Sequence, residues 1–321
     1  MKILITGATG FVGSHLLEYC LQNTGAEIFG TIFPDNFESE IKKIEHLNGK
    51  AKFFRCDLTN KDSVREVFTK SKPDKIFHLA GQSHVLSSFQ SPEKTLLNNI
   101  ASDLNILEEA RKMESSPVII TAGSSEEYGL VLKEELPINE NNQLRPLSPY
   151  AVSKITQEKL AFQYHQSYGL KTVLMRFFNT EGPGRGQEFV TSTFSKQIAE
   201  IEKGLKEPVI YVGNLDAERD FIDIRDATGA YWLASEKCKF GEPYNICSGK
   251  SRSIRSILDI LLDLSAVKNI EIKQDQARMR PSDVPVILGD NSKFNMQTGW
   301  KPKIPFEKTM EDLLNYWREI L

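Results

Sequence analysis

The feature that most constrains this chain lies at its start. A short apolar run, Lys2–Thr6, leads straight into Gly7-Ala8-Thr9-Gly10-Phe11-Val12-Gly13, and a helical pattern then covers Phe11–Asn23. Each glycine has a physical task. Gly7 allows a tight turn, Gly10 lets backbone approach a pyrophosphate, and Gly13 lets helix and strand pack closely. The helix N-terminus then presents unpaired N–H groups to the phosphates. Alone, such a pattern could be only a tight strand–helix turn. At the head of a series of strands and helices it points to a dinucleotide site.

That series is present. Strand-like runs fall at Lys2–Thr6, Glu27–Ile32, Ala51–Arg55, Lys75–Leu79, Val118–Ala122 and Thr172–Phe177. Helical patterns lie between them at Phe11–Asn23, Lys61–Thr69, Ser91–Met113 and Pro149–Tyr168, with Pro92 and Pro149 where a first-turn proline is tolerated. Alternation of this kind implies an α/β fold, a doubly wound parallel sheet of the Rossmann type with helices on both faces. After Phe178 the texture changes. A glycine-rich loop is followed by helical patterns at Ser192–Lys203, Asp226–Glu236, Ser253–Ser265 and Pro305–Ile320, with strand-like pieces only at Val209–Val212, Tyr244–Cys247 and Ile270–Lys273. This part is expected to form a second, smaller, mostly helical lobe.

Bulk properties narrow the function. With 40 basic and 43 acidic residues, the formal charge is -3, which argues against a nucleic-acid surface. No apolar run approaches the roughly 20 residues that cross a bilayer. The opening residues enter glycine too soon for a secretory signal. Cys20, Cys56, Cys238 and Cys247 lack paired spacing and partner histidines, so they read as small apolar residues, with no metal site expected. The expected address is cytoplasmic.

Pro149-Tyr150-Ala151-Val152-Ser153-Lys154 carries the strongest chemical signal. Residues four apart share a helix face, so a phenol and an ammonium project together. A free tyrosine titrates near pH ~10. A neighbouring ammonium is expected to pull that value down towards the working range.

The Gly-x-x-Gly-x-x-Gly spacing resembles that of the extended short-chain dehydrogenases that act on nucleotide sugars, and nearly the whole chain shares the resemblance. Asp57-Leu58 is similar to the family's adenine contact, although a turn carboxylate is the other reading of Asp57. His78-Leu79-Ala80-Gly81 is similar to the family's His-Leu-Ala-Ala, and Asn99, beside Asn98, to its helix-four asparagine. The resemblance thus implies a dinucleotide site built from Gly7, Thr9, Gly10, Phe11, Val12, Asp57, Leu58, Leu79, Ala80, Gly81 and Asn99, joined by Tyr150 and Lys154. At the end of the second strand, Gly30-Thr31-Ile32-Phe33-Pro34 offers neither the Asp that meets ribose hydroxyls nor the Arg that meets a 2′-phosphate. Both NADP(H) and NAD(H) stay open.

Gly123-Ser124-Ser125-Glu126-Glu127-Tyr128-Gly129 resembles the family's Ser-Ser-x-x-x-Tyr-Gly turn. Ser124 aligns with the hydroxyl that hydrogen-bonds substrate, and Ser125 is the alternative. The stretches Arg176–Asn179, Arg185–Thr191, Arg219–Asp226 and Arg280–Asp283 are similar to substrate-side motifs of the branch that handles GDP-mannose derivatives. With Ser83, they imply Asn179, Arg185, Arg219, Arg280 and Asp283 as the substrate set. Residues 1–178 would then bind NAD(P), with 217–247 returning to them, and 179–321 would bind the nucleotide sugar.

The overall pattern most resembles the 4-keto reductases of that branch. It implies NAD(P)H-dependent reduction of GDP-4-keto-6-deoxy-D-mannose to GDP-D-rhamnose by Ser124, Tyr150 and Lys154. GDP-mannose 4,6-dehydration with Glu126 as acid/base is the alternative, and 4-epimerisation is third. A non-catalytic NAD(P)-binding sensor is the rival from another class. The resemblance alone implies a homodimer through Ser91–Met113 and Pro149–Tyr168.

Overall fold

The computed structural model describes residues 1–47, 49–278 and 284–321. In its first part the elements are β1 (Lys2–Thr6), α1 (Phe11–Asn23), β2 (Glu27–Ile32), α2 (Phe37–Lys43), β3 (Lys52–Arg55), α3 (Lys61–Ser71), β4 (Lys75–His78), α4 (Val85–Gln90), α5 (Pro92–Arg111), β5 (Val118–Ser124), α6 (Pro149–Tyr168) and β6 (Lys171–Phe177). They are followed by β7 (Asn179–Glu181), α7 (Val190–Glu202), β8 (Val209–Val212), β9 (Glu218–Asp223), α8 (Ile224–Lys237) and β10 (Pro243–Ile246). The remainder comprises β11 (Ser251–Ser253), α9 (Ile254–Leu264), β12 (Glu271–Gln274), β13 (Val286–Ile287), α10 (Ser292–Thr298) and α11 (Phe306–Ile320).

Seven parallel strands form the main sheet in the order β10-β6-β5-β4-β1-β2-β3. Strands with both faces covered are largely apolar, and β1 and β4 are buried almost throughout. On one face Leu16 of α1, Ala227 of α8 and Phe294 of α10 join the core. On the other, Val64 of α3, Ile106 of α5 and Tyr164 of α6 do so. Strand order reverses between β1 and β4, and at such a switch point the carboxyl ends of the strands leave a crevice for ligands. Pro92 and Pro149 occupy the first turns of α5 and α6. Ser148 caps α6 by accepting the Ala151 N–H at 3.1 Å.

The smaller lobe packs α7, α9 and α11 around a separate apolar core that includes Phe194, Leu258 and Leu313. It holds more strand than its periodicity predicts. β9 is central to a small sheet, pairing with β11 antiparallel and with β7 and β13 parallel. Its charged sequence hides a strand because Asp220 is fully buried, satisfied by the N–H groups of Ser248 and Gly249 at 2.7 and 2.9 Å and by the Ser248 hydroxyl at 2.6 Å. No described helix is long and apolar enough to cross a membrane. All four cysteines are buried and unpaired.

Candidate active site

A cleft of about 630 Å³ opens at the carboxyl ends of the main-sheet strands, bounded on its far side by the smaller lobe. Its floor begins with the glycine loop. Gly7 has φ 65°, and its carbonyl accepts the Gly10 N–H at 3.0 Å. A Cβ on Gly13 would stand 2.1 Å from that same carbonyl oxygen, so only glycine fits. A Cβ on Gly7 would meet the Ala80 Cα at 3.0 Å, which explains the small residues after β4. The first turn of α1 carries no acidic residue and no side-chain cap. Gly10, Phe11, Val12 and Gly13 line the cleft. A loop of this kind fits a dinucleotide pyrophosphate, with the N–H groups of the first turn as donors.

The catalytic candidates converge on this floor. Ser124 ends β5, while Tyr150 and Lys154 project from the first turns of α6. All three line the cleft, as do Ser125 and Glu126. Ser124, rather than Ser125, meets the phenol: its hydroxyl hydrogen-bonds Tyr150 and also accepts the Glu126 N–H at 3.2 Å.

The expected lowering of the Tyr150 phenol is not found. Burial raises it well above its ordinary value, opposed by the Ser124 hydrogen bond and reinforced by Glu126 and Glu127. The Lys154 ammonium donates to the Ala122 carbonyl at 2.8 Å and lies 5.9 Å from the Tyr150 ring centroid. The ammonium is itself held below its usual range by burial, against the pull of Glu127 and Asp103.

A layer of buried polar groups lies beneath these residues. His78 donates to or accepts from Thr6 Oγ1 at 2.9 Å, and burial, then Lys154, drives its pKa down to about 3. Asp103, 3.8 Å from His78 Nε2, is pushed up to about 8 by burial, against Lys154. Arg176 is forked onto Glu158 of α6 at 2.7 and 2.8 Å. Burial would raise Glu158, but Arg176 holds it below the usual carboxylate range.

Of the other residues named from sequence, Leu79, Gly81, Ser83, Asn179, Arg185 and Arg219 line the cleft. Arg185 stacks on the rings of Phe189 at 3.3 Å and Phe11 at 5.0 Å, bridging the substrate side and the glycine loop. Arg219 donates to the Val284 carbonyl at 2.7 Å. Thr9, Asp57, Leu58, Ala80 and Asn99 are not among the lining residues. Asp57 closes a turn by accepting the N–H and hydroxyl of Thr59 at 2.9 and 2.7 Å. Leu58 is a core residue. Asn99 is fully buried and pins the loop after β4 to α6: it accepts the Gln82 N–H at 2.8 Å and donates to Gln82 O at 3.0 Å and Ser153 Oγ at 2.9 Å. Arg280 and Asp283 lie outside the described residues.

Sequence reasoning passed over His84, Asn214 and Arg278, which also line the cleft. Only the neighbourhood of Arg278 to the Arg280 motif could have signalled it.

Comparison with known proteins follows the same lines. Residues 4–313 match the family described as GDP-mannose 4,6 dehydratase. The chain is 33% identical to a GDP-6-deoxy-D-mannose reductase of Pseudomonas aeruginosa, across 98% of this chain and 97% of that one. It is 31% identical to a GDP-mannose 4,6-dehydratase of Vibrio cholerae, across 97% and 94% of the two chains. Among solved structures, that of RMD from Pseudomonas aeruginosa complexed with NADPH superposes over 100% of both chains, with a TM-score of 0.87 at 31% identity.

Proposed function

Because the chain belongs to the GDP-mannose 4,6-dehydratase family of extended short-chain dehydrogenases, we propose that it reduces the 4-keto group of GDP-4-keto-6-deoxy-D-mannose to give GDP-D-rhamnose, using NADPH or NADH. Gly7, Gly10, Phe11, Val12, Leu79 and Gly81 are the residues that would hold the dinucleotide, which when bound supplies the hydride. Tyr150 gives its proton to the carbonyl oxygen, so a new C–H and a new O–H bond replace the π bond of the C=O and the C–O single bond stays. The Ser124 hydroxyl polarises that carbonyl. Asn179, Arg185 and Ser83 position the sugar, and Arg219 answers the charge of the diphosphate.

The state of Tyr150 carries this reading. Tyr150 is 8% exposed, its phenol is hydrogen-bonded to Ser124, and burial favours the protonated form. Ketone reduction consumes a proton at that point, which is what a loaded phenol provides. Dehydration and epimerisation instead begin by removing hydride together with a hydroxyl proton, for which the same group must start as a base. The alternative that keeps a specific observation in its favour is GDP-mannose 4,6-dehydration. Glu126 lines the cleft and lies close enough to Tyr150 to raise its pKa, as an acid/base acting at the neighbouring carbons requires.

Two substrates separate the readings. Purified protein should oxidise NADPH or NADH stoichiometrically when given GDP-4-keto-6-deoxy-mannose and should leave GDP-mannose unchanged. Glu126→Gln should retain most of that reductase activity, while Arg219→Ala should raise the KM for the GDP sugar. Conversion of GDP-mannose to its 4-keto-6-deoxy form, abolished by Glu126→Gln, would install the dehydratase instead.

The same reading includes a homodimer through α5 and α6, on which Leu97, Val152 and Phe162 are 62, 42 and 44% exposed. Light scattering coupled to gel filtration should give twice the 36.4 kDa chain mass; a monomer at micromolar concentration would remove this element of the proposal. The cytoplasm, where unpaired thiols stay reduced, is the proposed location.

A further inference from the structure

The turn after β5 holds a carboxylate that the proposed chemistry leaves idle. Glu127 is 0% exposed. Its Oε1 accepts the main-chain N–H of Ser124 at 2.7 Å. Gly123 makes room for it, since a Cβ there would stand 2.6 Å from the same oxygen. Its Oε2 accepts no hydrogen bond among the described residues and faces Arg176 Nε at 3.8 Å. The carboxylate is therefore wedged between the strand end that bears Ser124 and the helix that bears Tyr150 and Lys154.

A carboxyl this deep with so little hydrogen bonding costs stability, and an apolar side chain would fill the space more cheaply. Its charge is what an apolar residue would lack. The groups facing it are Glu158, Lys154 and Tyr150 from α6 and Arg176 from β6. Arg176 and Glu158 are committed to each other by a two-pronged pair. Glu127 is thus, with Asp103 from α5, one of two buried carboxyls that act on Lys154.

We propose, on the reductive reading above, that Glu127 is a positioning residue: it fixes the main chain of Ser124 and supplies the buried negative charge that sets the protonation of Lys154 and Tyr150. When ionised, it raises both the ammonium and the phenol. It is itself pushed up by burial and then by Glu158, against Arg176.

Glu127→Gln keeps the volume and the acceptor for Ser124 and removes only the charge. Tyr150 and Lys154 then titrate lower. The alkaline limb of the kcat–pH profile should move to lower pH by about one unit, the smaller end of what one close charge does. The KM for the sugar should change less than kcat on that limb. Gly123→Ala crowds the same oxygen from the strand side and should shift the limb the same way, which keeps the question answerable should the glutamine variant not fold. A limb superimposable on wild type in the glutamine protein, or in the alanine protein if the first does not fold, overturns the inference. The comparison is made on whichever reaction the wild type catalyses, NAD(P)H oxidation with the keto sugar or turnover of GDP-mannose, since both run through Ser124, Tyr150 and Lys154. Failure of the reductive reading shows in the choice of substrate, and failure of this inference in the profile.

Discussion

Tyr150→Phe should lower turnover of the keto sugar by about 10²–10⁴-fold, the usual worth of a positioned general acid. Binding of dinucleotide and sugar should stay near wild type. The ring itself is buried and remains in place, so the packing of α6 against β5 is kept. Ser124 does not lose its only partner either, because its hydroxyl still accepts the Glu126 N–H. What disappears is one proton next to the developing alkoxide. Stopped-flow oxidation of NAD(P)H under single turnover separates this loss from product release. A variant within threefold of wild type would show that another group protonates the oxygen.

The second large effect concerns Gly13. Its substitution by Ala drives a Cβ to 2.1 Å from the Gly7 carbonyl oxygen and 3.0 Å from the Ala8 Cα, so the obstacle is loop backbone. Overpacking of this kind typically costs about 1–3 kcal/mol. The relief available is withdrawal of the helix N-terminus from the loop, which removes the N–H groups that face the pyrophosphate. Losing one charge-assisted hydrogen bond costs roughly 1.5–3 kcal/mol, so dinucleotide affinity should fall by about 10- to 100-fold. Gly229→Ala is the internal control. Gly229 sits inside α8 with nothing within 4 Å of its added Cβ. There alanine should be stabilising, by up to about 1 kcal/mol. Urea unfolding and dinucleotide titration of the two variants should diverge in these directions. Equal stability and affinity for both would mean that the loop yields without moving the helix.

Much of this was legible along the chain because it is local. β1, α1, β2 and α6 begin and end where hydrophobic periodicity, the glycine loop and the first-turn proline place them. Tyr150 and Lys154 come together simply because helical spacing brings them together. The rest depends on partners distant in sequence. Tyr150 is raised rather than lowered because burial outweighs its charged neighbours, and Lys154 donates to the Ala122 carbonyl, 32 residues earlier. β9 escapes notice because Asp220 interrupts an apolar pattern, and the amides that satisfy it come from Ser248 and Gly249. Glu127 looks like one more acidic turn residue beside Glu126. Only the approach of Arg176 from β6 and the absence of a side chain at Gly123 make it a buried charge.

The position of β10 has a consequence for how such a polypeptide is made. The strand that completes the main sheet, Pro243–Ile246, is also the last of its seven to be synthesised. When translation reaches Phe177, six strands exist, but the outer edge of β6 has no neighbour. Leu174 later donates to the Glu242 carbonyl at 3.3 Å and Phe178 to that of Ile246 at 3.0 Å. Until those residues leave the ribosome, a flat apolar edge with open N–H and C=O groups is available to other nascent chains. Cutting the gene after residue 178 would make that exposure permanent. The half that carries the glycine loop cannot close its own sheet, so the two lobes are bound to a single act of folding.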